Sequence, residues 1–493
     1  MRPLDVRVPL DAALALLPEI LLVVGACAVL LVNAWRHRDA SDSRLAAWVS
    51  LATLIPVGAS IVWLWAGGAH AAGEPFMIGL DGFRFAALIL ILVATAATIA
   101  LSLGYLEREG LIAPEYYSLL LFAASGMMLL AGAEDLIVVF LGLEVMSIPV
   151  YVLAGFNRRS RFSAEAALKY FLIGAFASAF LLYGIALLWG STGSTGLVGI
   201  GQRIGDATLP PLGLLGLGLL LIGLGFKVAS VPFHMWAPDA YDGAPTPVTG
   251  FMATAVKAAG FFALGRLLIE AFPRDYPHWQ PVLAGLAIAS MVLGNLVALN
   301  QQSLKRMLAY SSIAHAGYLL VGLWPGSSRG ISAIVVYLVA YVITSLAAFG
   351  ILTVLGRDGE RAVTLDSIAG LARKRPWLAF GLAVTMLSLL GMPGTIGFIG
   401  KWAILVAVVH QGQYLLAVVL VVTTLISAGY YLPVIMAAYM REPVFDEAHA
   451  EASLPRPGML VVAAAVVLIL IFGVLPAGLL TTATAAAASI TGR

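Results

Sequence analysis

Runs of about twenty apolar residues recur about fourteen times along this chain, each long enough to cross a lipid bilayer as a helix. They lie near residues 14–34, 44–66, 82–105, 116–132, 135–156, 165–190, 211–241, 245–271, 281–300, 305–324, 330–355, 376–409, 413–440 and 458–483. Polar joints such as RHRDASDSR and NRRSRFS separate them, and none is long enough for a separate folded domain. Lipid offers backbone groups no water to bond, so these runs are expected to be helices that satisfy themselves. Only 11% of residues are charged, against about 25% in soluble domains. The expectation is an all-α, polytopic membrane protein forming one integral domain over 1–493. The first run lacks a small-residue cleavage pattern and is followed by many more, so it reads as a retained helix.

Several chemistries are disfavoured. Cys27 is the single cysteine, whereas iron–sulfur clusters usually need about four ligands. Neither a G-x-G-x-x-G nor a Walker-type phosphate loop occurs, and the glycines of STGSTG (191–196) have the wrong spacing. No cofactor or metal is expected in this chain, and no nucleic acid as a partner. The lipid bilayer is its surroundings.

Cation placement orients the helices. Joints after odd-numbered runs hold sixteen of the 28 lysines and arginines, while the even joints and both ends hold eight. Odd joints should face the cytoplasm, with both termini on the opposite side. Four cations remain: Lys169, Lys227, Lys257 and Lys401, all within or at the edge of apolar runs. Arginine keeps its charge almost everywhere, whereas a lysine removed from water can release its proton. Placing lysines in the membrane and arginines at its borders suggests proton handling.

The motifs around these lysines sharpen the suggestion. Glu144, in VVFLGLEVMSIPVYVL, sits mid-run, where a carboxylate costs at least a few kcal/mol. A proton-relay acid or a lysine partner is expected there; the alternative is a structural carboxylate satisfied by a neighbouring helix. Lys227 precedes Pro232, which should break the seventh helix and free carbonyls for water or polar side chains. Lys257 lies among alanines and glycines that permit close packing. Lys401 follows a second break around Gly391, Pro393 and Gly394. Two interrupted helices with a lysine beside each break are the trace of a repeated transporter architecture with ion sites at discontinuous helices. His234 and His315 are candidate relay groups, or hydrogen-bonded structural histidines. Glu165 and Lys169 form an i,i+4 pair at the start of the sixth run, either a plain interfacial pair or a tuner of nearby charge.

Together, FLGLEVMSIPVYVLAGF, SAEAALKYFLIGAFASAFLLYG, GLGFKVASVPFHMWAPDAYDGAPTPVTGFM, LKRMLAYSSIAHAGYLL and GMPGTIGFIGKW resemble the antiporter-like subunits of respiratory NADH:quinone oxidoreductase (complex I), the N type in particular, over about residues 80–440. The resemblance implies fourteen transmembrane helices. Helices 1–3 would cover about 14–105, a first repeat of helices 4–8 about 116–271, an inverted second repeat of helices 9–13 about 281–440, and the last helix about 458–483. It implies proton translocation by Glu144, paired with Lys227, then Lys257 and Lys401, with Lys169 as a bridging lysine. The M type usually carries glutamate where Lys401 stands, and the L type continues into a long lateral helix. HMWAPDAYDGAPTPVT also favours the N type. NADH, flavin, iron–sulfur clusters and quinone would sit on partner subunits, membrane and peripheral, including neighbouring antiporter-like ones. The implied location is a bacterial inner membrane. The alternatives are a large subunit of a multisubunit cation/proton antiporter, a membrane-bound hydrogenase or plastoquinone-reducing relative, or an independent transporter of a small solute.

Overall fold

The computed structural model describes residues 10–36, 43–68, 77–111, 113–205, 208–356, 363–442 and 456–491. Among these the ordered elements are helices, joined by a few isolated bridges such as Ile78 with Ala133. Among the described residues, eleven helices are long and apolar enough to cross a membrane, and four shorter apolar ones accompany them. Adding Leu304–Leu323, and joining the pieces of each broken helix, gives fourteen spans in the expected order. They are called spans 1 to 14 below.

Polar caps fix where several spans begin. Asp81 accepts the Arg84 N–H (2.8 Å) at the start of span 3 (Gly82–Ser102), and Asp135 accepts the Ile137 N–H (2.7 Å) at the start of span 5 (Leu136–Ala154). Each cap satisfies one of the orphan donors of a first helical turn. Span 8 (Thr246–Ala271) and span 11 (Ser328–Leu355) are almost wholly enclosed by their neighbours. Spans 1 (Leu17–Trp35), 6 (Arg161–Thr192), 9 (Tyr276–Ala298) and 13 (Tyr414–Met440), with the first part of span 14 (Arg456–Val474), turn much of their surface outward.

Three spans are interrupted. Span 7 ends its first half at Lys227, passes a non-helical turn in which the Val231–Pro232 bond is cis, and resumes as Ala237–Gly243. Span 12 consists of Pro376–Leu390 and Ile396–His410, with Gly391 (φ 87°) and Gly394 (φ 88°) in the gap. The third interruption differs from the single helix expected over 458–483. Span 14 runs as Arg456–Val474, breaks at Leu475 and Pro476, and continues as Ala477–Thr491. Pro476 has no N–H to carry the ladder across. Gly473 packs against the backbone of Gly394 and Thr395, so the breaks of spans 12 and 14 lie at one level.

Two arginines depart from the expected division of cations. Arg84 and Arg266 are fully buried. Arg84 pairs with Glu19 (2.8 Å), while Arg266 pairs with Asp81 (2.8 Å), Glu270 (2.8 Å) and Glu134 (3.3 Å). Enclosure by carboxylates makes a permanent cation tolerable away from water. Lys305, counted above with the joint cations, is also buried and donates to the Ala244 carbonyl (2.7 Å).

Candidate functional site

Lys227, Lys257 and Lys401 are all buried, at 1%, 1% and 6% exposure, and each is held by neutral groups. Lys227 Nζ donates to Ser147 Oγ (2.7 Å) and Tyr170 Oη (3.3 Å), with the rings of Tyr151 and Tyr170 at 5.8 and 5.5 Å. Ser147 lies one helical turn beyond Glu144 on span 5. Glu144 is within electrostatic range of Lys227, yet no ion pair joins them among the described residues. One Glu144 carboxylate oxygen is buried without a hydrogen-bond partner.

At the break after Lys227, the freed carbonyls are taken by protein groups, one of the two partners expected for them. The Gly225 carbonyl accepts from the Ser230 N–H (2.9 Å) and hydroxyl (3.2 Å). The Phe226 carbonyl accepts from the Ala229 N–H and the Trp236 indole (both 3.0 Å). Protein donors thus take carbonyls that the sequence offered to water or polar side chains. The half-buried His234 has an unpartnered Nδ1 and makes no hydrogen bond to Lys227. Pro232 is exposed beside the turn.

Lys257 follows a π-helical turn, Met252–Val256, a form common at functional positions. Its ammonium donates to the Ser312 carbonyl (2.6 Å) and to the Ser312 hydroxyl, below the Tyr341 ring at 5.6 Å. Lys401 Nζ donates to the carbonyls of Leu389 (3.1 Å) and Leu390 (3.0 Å), which end the first half of span 12. There the ammonium itself occupies the negative end of the half-helix dipole. It also faces the Tyr318 ring at 4.7 Å. Gly391 is required twice, by its positive φ and because a Cβ would fall 2.9 Å from Lys401 Cδ. Pro393 lies exposed in the same gap.

Span 10 (Leu304–Leu323) connects Lys257 with Lys401. His315, buried, bonds Tyr337 Oη through Nδ1 (2.7 Å) and Tyr431 Oη through Nε2 (3.2 Å), and Tyr431 also bonds Ser311. Both lysines lie within electrostatic range of this imidazole. Sequence reasoning missed Ser147, Tyr170, Ser311, Ser312, Tyr318, Tyr337, Tyr341 and Tyr431. A signal for two of them was available: Ser311 and Tyr318 share one helix face with His315, at i, i+7 and i+4. Glu165 and Lys169 stand apart from the line. Lys169 Nζ meets Glu165 Oε1 and Asp239 Oδ2, both at 2.7 Å, in a partly exposed cluster.

Residues 133–427 match the family model described as NADH:quinone oxidoreductase/Mrp antiporter, TM. A NADH-quinone oxidoreductase subunit N from Gemmatimonas aurantiaca is 47% identical, covering 94% of this chain and 91% of its own. A subunit N 2 from Roseiflexus castenholzii is 44% identical, over 93% of each chain. In the structure of respiratory complex I from Thermus thermophilus with bound aureothin, one chain is 38% identical and superposes with a TM-score of 0.80, covering 95% of this chain and all of its own. A chain of the Mrp complex from Dietzia shares the fold (TM-score 0.84, 98% of both chains) at 24% identity. This chain therefore belongs to the NADH-quinone oxidoreductase subunit N family of antiporter-like membrane subunits.

Proposed function

We propose that the chain moves protons along Glu144, Lys227, Lys257, His315 and Lys401, as the translocating subunit of an NADH:quinone oxidoreductase. The observation that carries this reading is the state of three lysines: buried, mid-span, and without an ion pair among the described residues. An ammonium kept in a buried site by hydroxyls, carbonyls and aromatic faces is not locked in its charged form. Each lysine can then take up a proton when a neighbour loses one.

Glu144 supplies the switch. Two opposite charges about 4 Å apart attract by about 4 kcal/mol at an effective dielectric of 20. One tenfold step in proton affinity is about 1.4 kcal/mol. Closing and opening the gap between Glu144 and Lys227, whose ammonium now bonds Ser147 instead, would therefore shift a proton through several tenfold steps. Ser312 and His315 offer the onward route to Lys401.

The chain carries no redox centre in this reading. NADH, flavin, iron–sulfur clusters and quinone belong to partner subunits, and the complex lies in a bacterial inner membrane with both ends of this chain on the non-cytoplasmic face. The test is the assembled complex in proteoliposomes carrying Lys227→Ala. Proton pumping and coupled quinone reduction should fall roughly tenfold or more, with NADH oxidation by an artificial acceptor nearly unchanged. Full pumping in Lys227→Ala would overturn the assignment.

A further inference from the structure

The second half of span 7, Ala237–Gly243, is only seven residues long, too short to be stable as an isolated helix. Its two ends are attached to different parts of the proton line. At its head, the Trp236 ring stacks on Tyr170 (4.1 Å between centroids, 5° between planes). Tyr170 is one of the two hydrogen-bond partners of Lys227. Along its body, the start of span 10 takes hold of it at three points. Arg306 Nη1 donates to Asp239 Oδ1 (2.8 Å), Ser303 Oγ to Asp242 Oδ1 (2.8 Å), and Lys305 Nζ to the carbonyl of Ala244, which caps the half-helix (2.7 Å). The second Asp239 oxygen accepts from Lys169 of span 6 (2.7 Å).

Span 10 also carries Ser312, which binds Lys257, then His315, and then Tyr318 under Lys401. One unbroken helix therefore grips the second half of span 7 with its first turn and touches the second and third lysines with its middle. A packed helix shifts as a unit when its end is displaced. A cation at the end of a half-helix is also favoured by its dipole, which suits Lys305 to this place.

We propose that Asp239, Ser303, Lys305 and Arg306 form a positioning clamp that transmits displacement of the half-helix beside Lys227 to the span holding the partners of Lys257 and Lys401. None of the four lies on the proton route itself. The proposal rests on the proton-line reading above and adds a mechanical link between its two halves.

The test uses the assembled oxidoreductase in proteoliposomes, in a Cys27→Ser background, with assembly followed by the yield of complex. Asp239→Asn and Arg306→Gln should each lower protons pumped per electron by about two- to fivefold, the range a partly exposed ion pair supports. Arg306→Lys should keep pumping near normal. Ser303→Cys with Asp242→Cys replaces one contact of the clamp by a disulfide. Added to Asp239→Asn, the oxidised pair should restore pumping and the reduced pair should not, a redox dependence that a merely structural role would not give. Unchanged pumping in both Asp239→Asn and Arg306→Gln, or a deficit in Asp239→Asn that oxidation leaves untouched, would overturn the clamp. Lys227→Ala run alongside separates the two ideas. Its loss of pumping with intact pumping in both Asp239→Asn and Arg306→Gln removes the clamp alone, whereas full pumping in Lys227→Ala removes the proton line.

Discussion

At the residue scale, the choice of lysine over arginine decides what the membrane interior can do. Arg84 pairs with the Glu19 carboxylate, and Arg266 with those of Asp81, Glu134 and Glu270. Lys227, Lys257 and Lys401 face hydroxyls, carbonyls and rings. Lys401→Arg should therefore pump poorly, because guanidinium does not release its proton at working pH and its fork does not fit a site shaped around one ammonium. The measurement is pumping per electron in proteoliposomes; normal pumping in Lys401→Arg would show that Lys401 need not titrate. Glu144→Gln should lower pumping less than Lys227→Ala does, since it removes the switch but leaves the lysine line in place.

At the scale of elements, the breaks matter more than the helices. Span 7 stops at Lys227, five residues before Pro232, and Ala229 takes the left-handed conformation (φ 58°) that L-residues avoid. The break thus has several supports: Ala229, the Ser230 and Trp236 hydrogen bonds, and the missing N–H of Pro232. Pro232→Ala should slow pumping by only a few-fold, because those other supports remain. Ala229→Gly should keep pumping and raise stability by up to about 1 kcal/mol, as the left-handed backbone no longer opposes a Cβ. Thermal unfolding of the purified complex would show either sign. Span 12 rests on glycine instead. Gly391→Ala should cost about 1–3 kcal/mol and displace the Lys401 stem, read as a lower unfolding temperature together with reduced pumping.

At the scale of the molecule, the two enclosed spans 8 and 11 form a centre around which the outward-facing spans are arranged. Span 5 also keeps apolar side chains such as Leu141, Val145 and Ile148 at the surface, as lipid or a neighbouring membrane subunit requires. Orientation can be checked with a membrane-impermeant thiol reagent on right-side-out spheroplasts, again in a Cys27→Ser background. Tyr276→Cys, at the start of span 9 just after the joint that follows span 8, should be labelled from outside. Arg158→Cys, in the joint after span 5, should react only after the membrane is opened. The reverse pattern would invert the assigned topology.

Hydropathy alone determined the fourteen spans and their order, because lipid forces every backbone group into a helix and makes each crossing visible as one apolar run. Sequence also marked Glu144 and the three lysines, since an ionisable side chain is too costly inside such a run to persist there without a task or a partner. Tertiary structure decided the rest. Serine and tyrosine hydroxyls are common in apolar helices, and nothing local distinguishes Ser147, Tyr170 or Ser312 from hydroxyls that bond their own helix backbone. Only packing brings them to an ammonium. Packing likewise buried Lys305 against Ala244 and drew Lys169 to Asp239, because a charge at a helix end is free to turn toward water or toward a neighbour. That choice depends on which helix lies beside it, and adjacency between distant spans is a property of the assembled bundle.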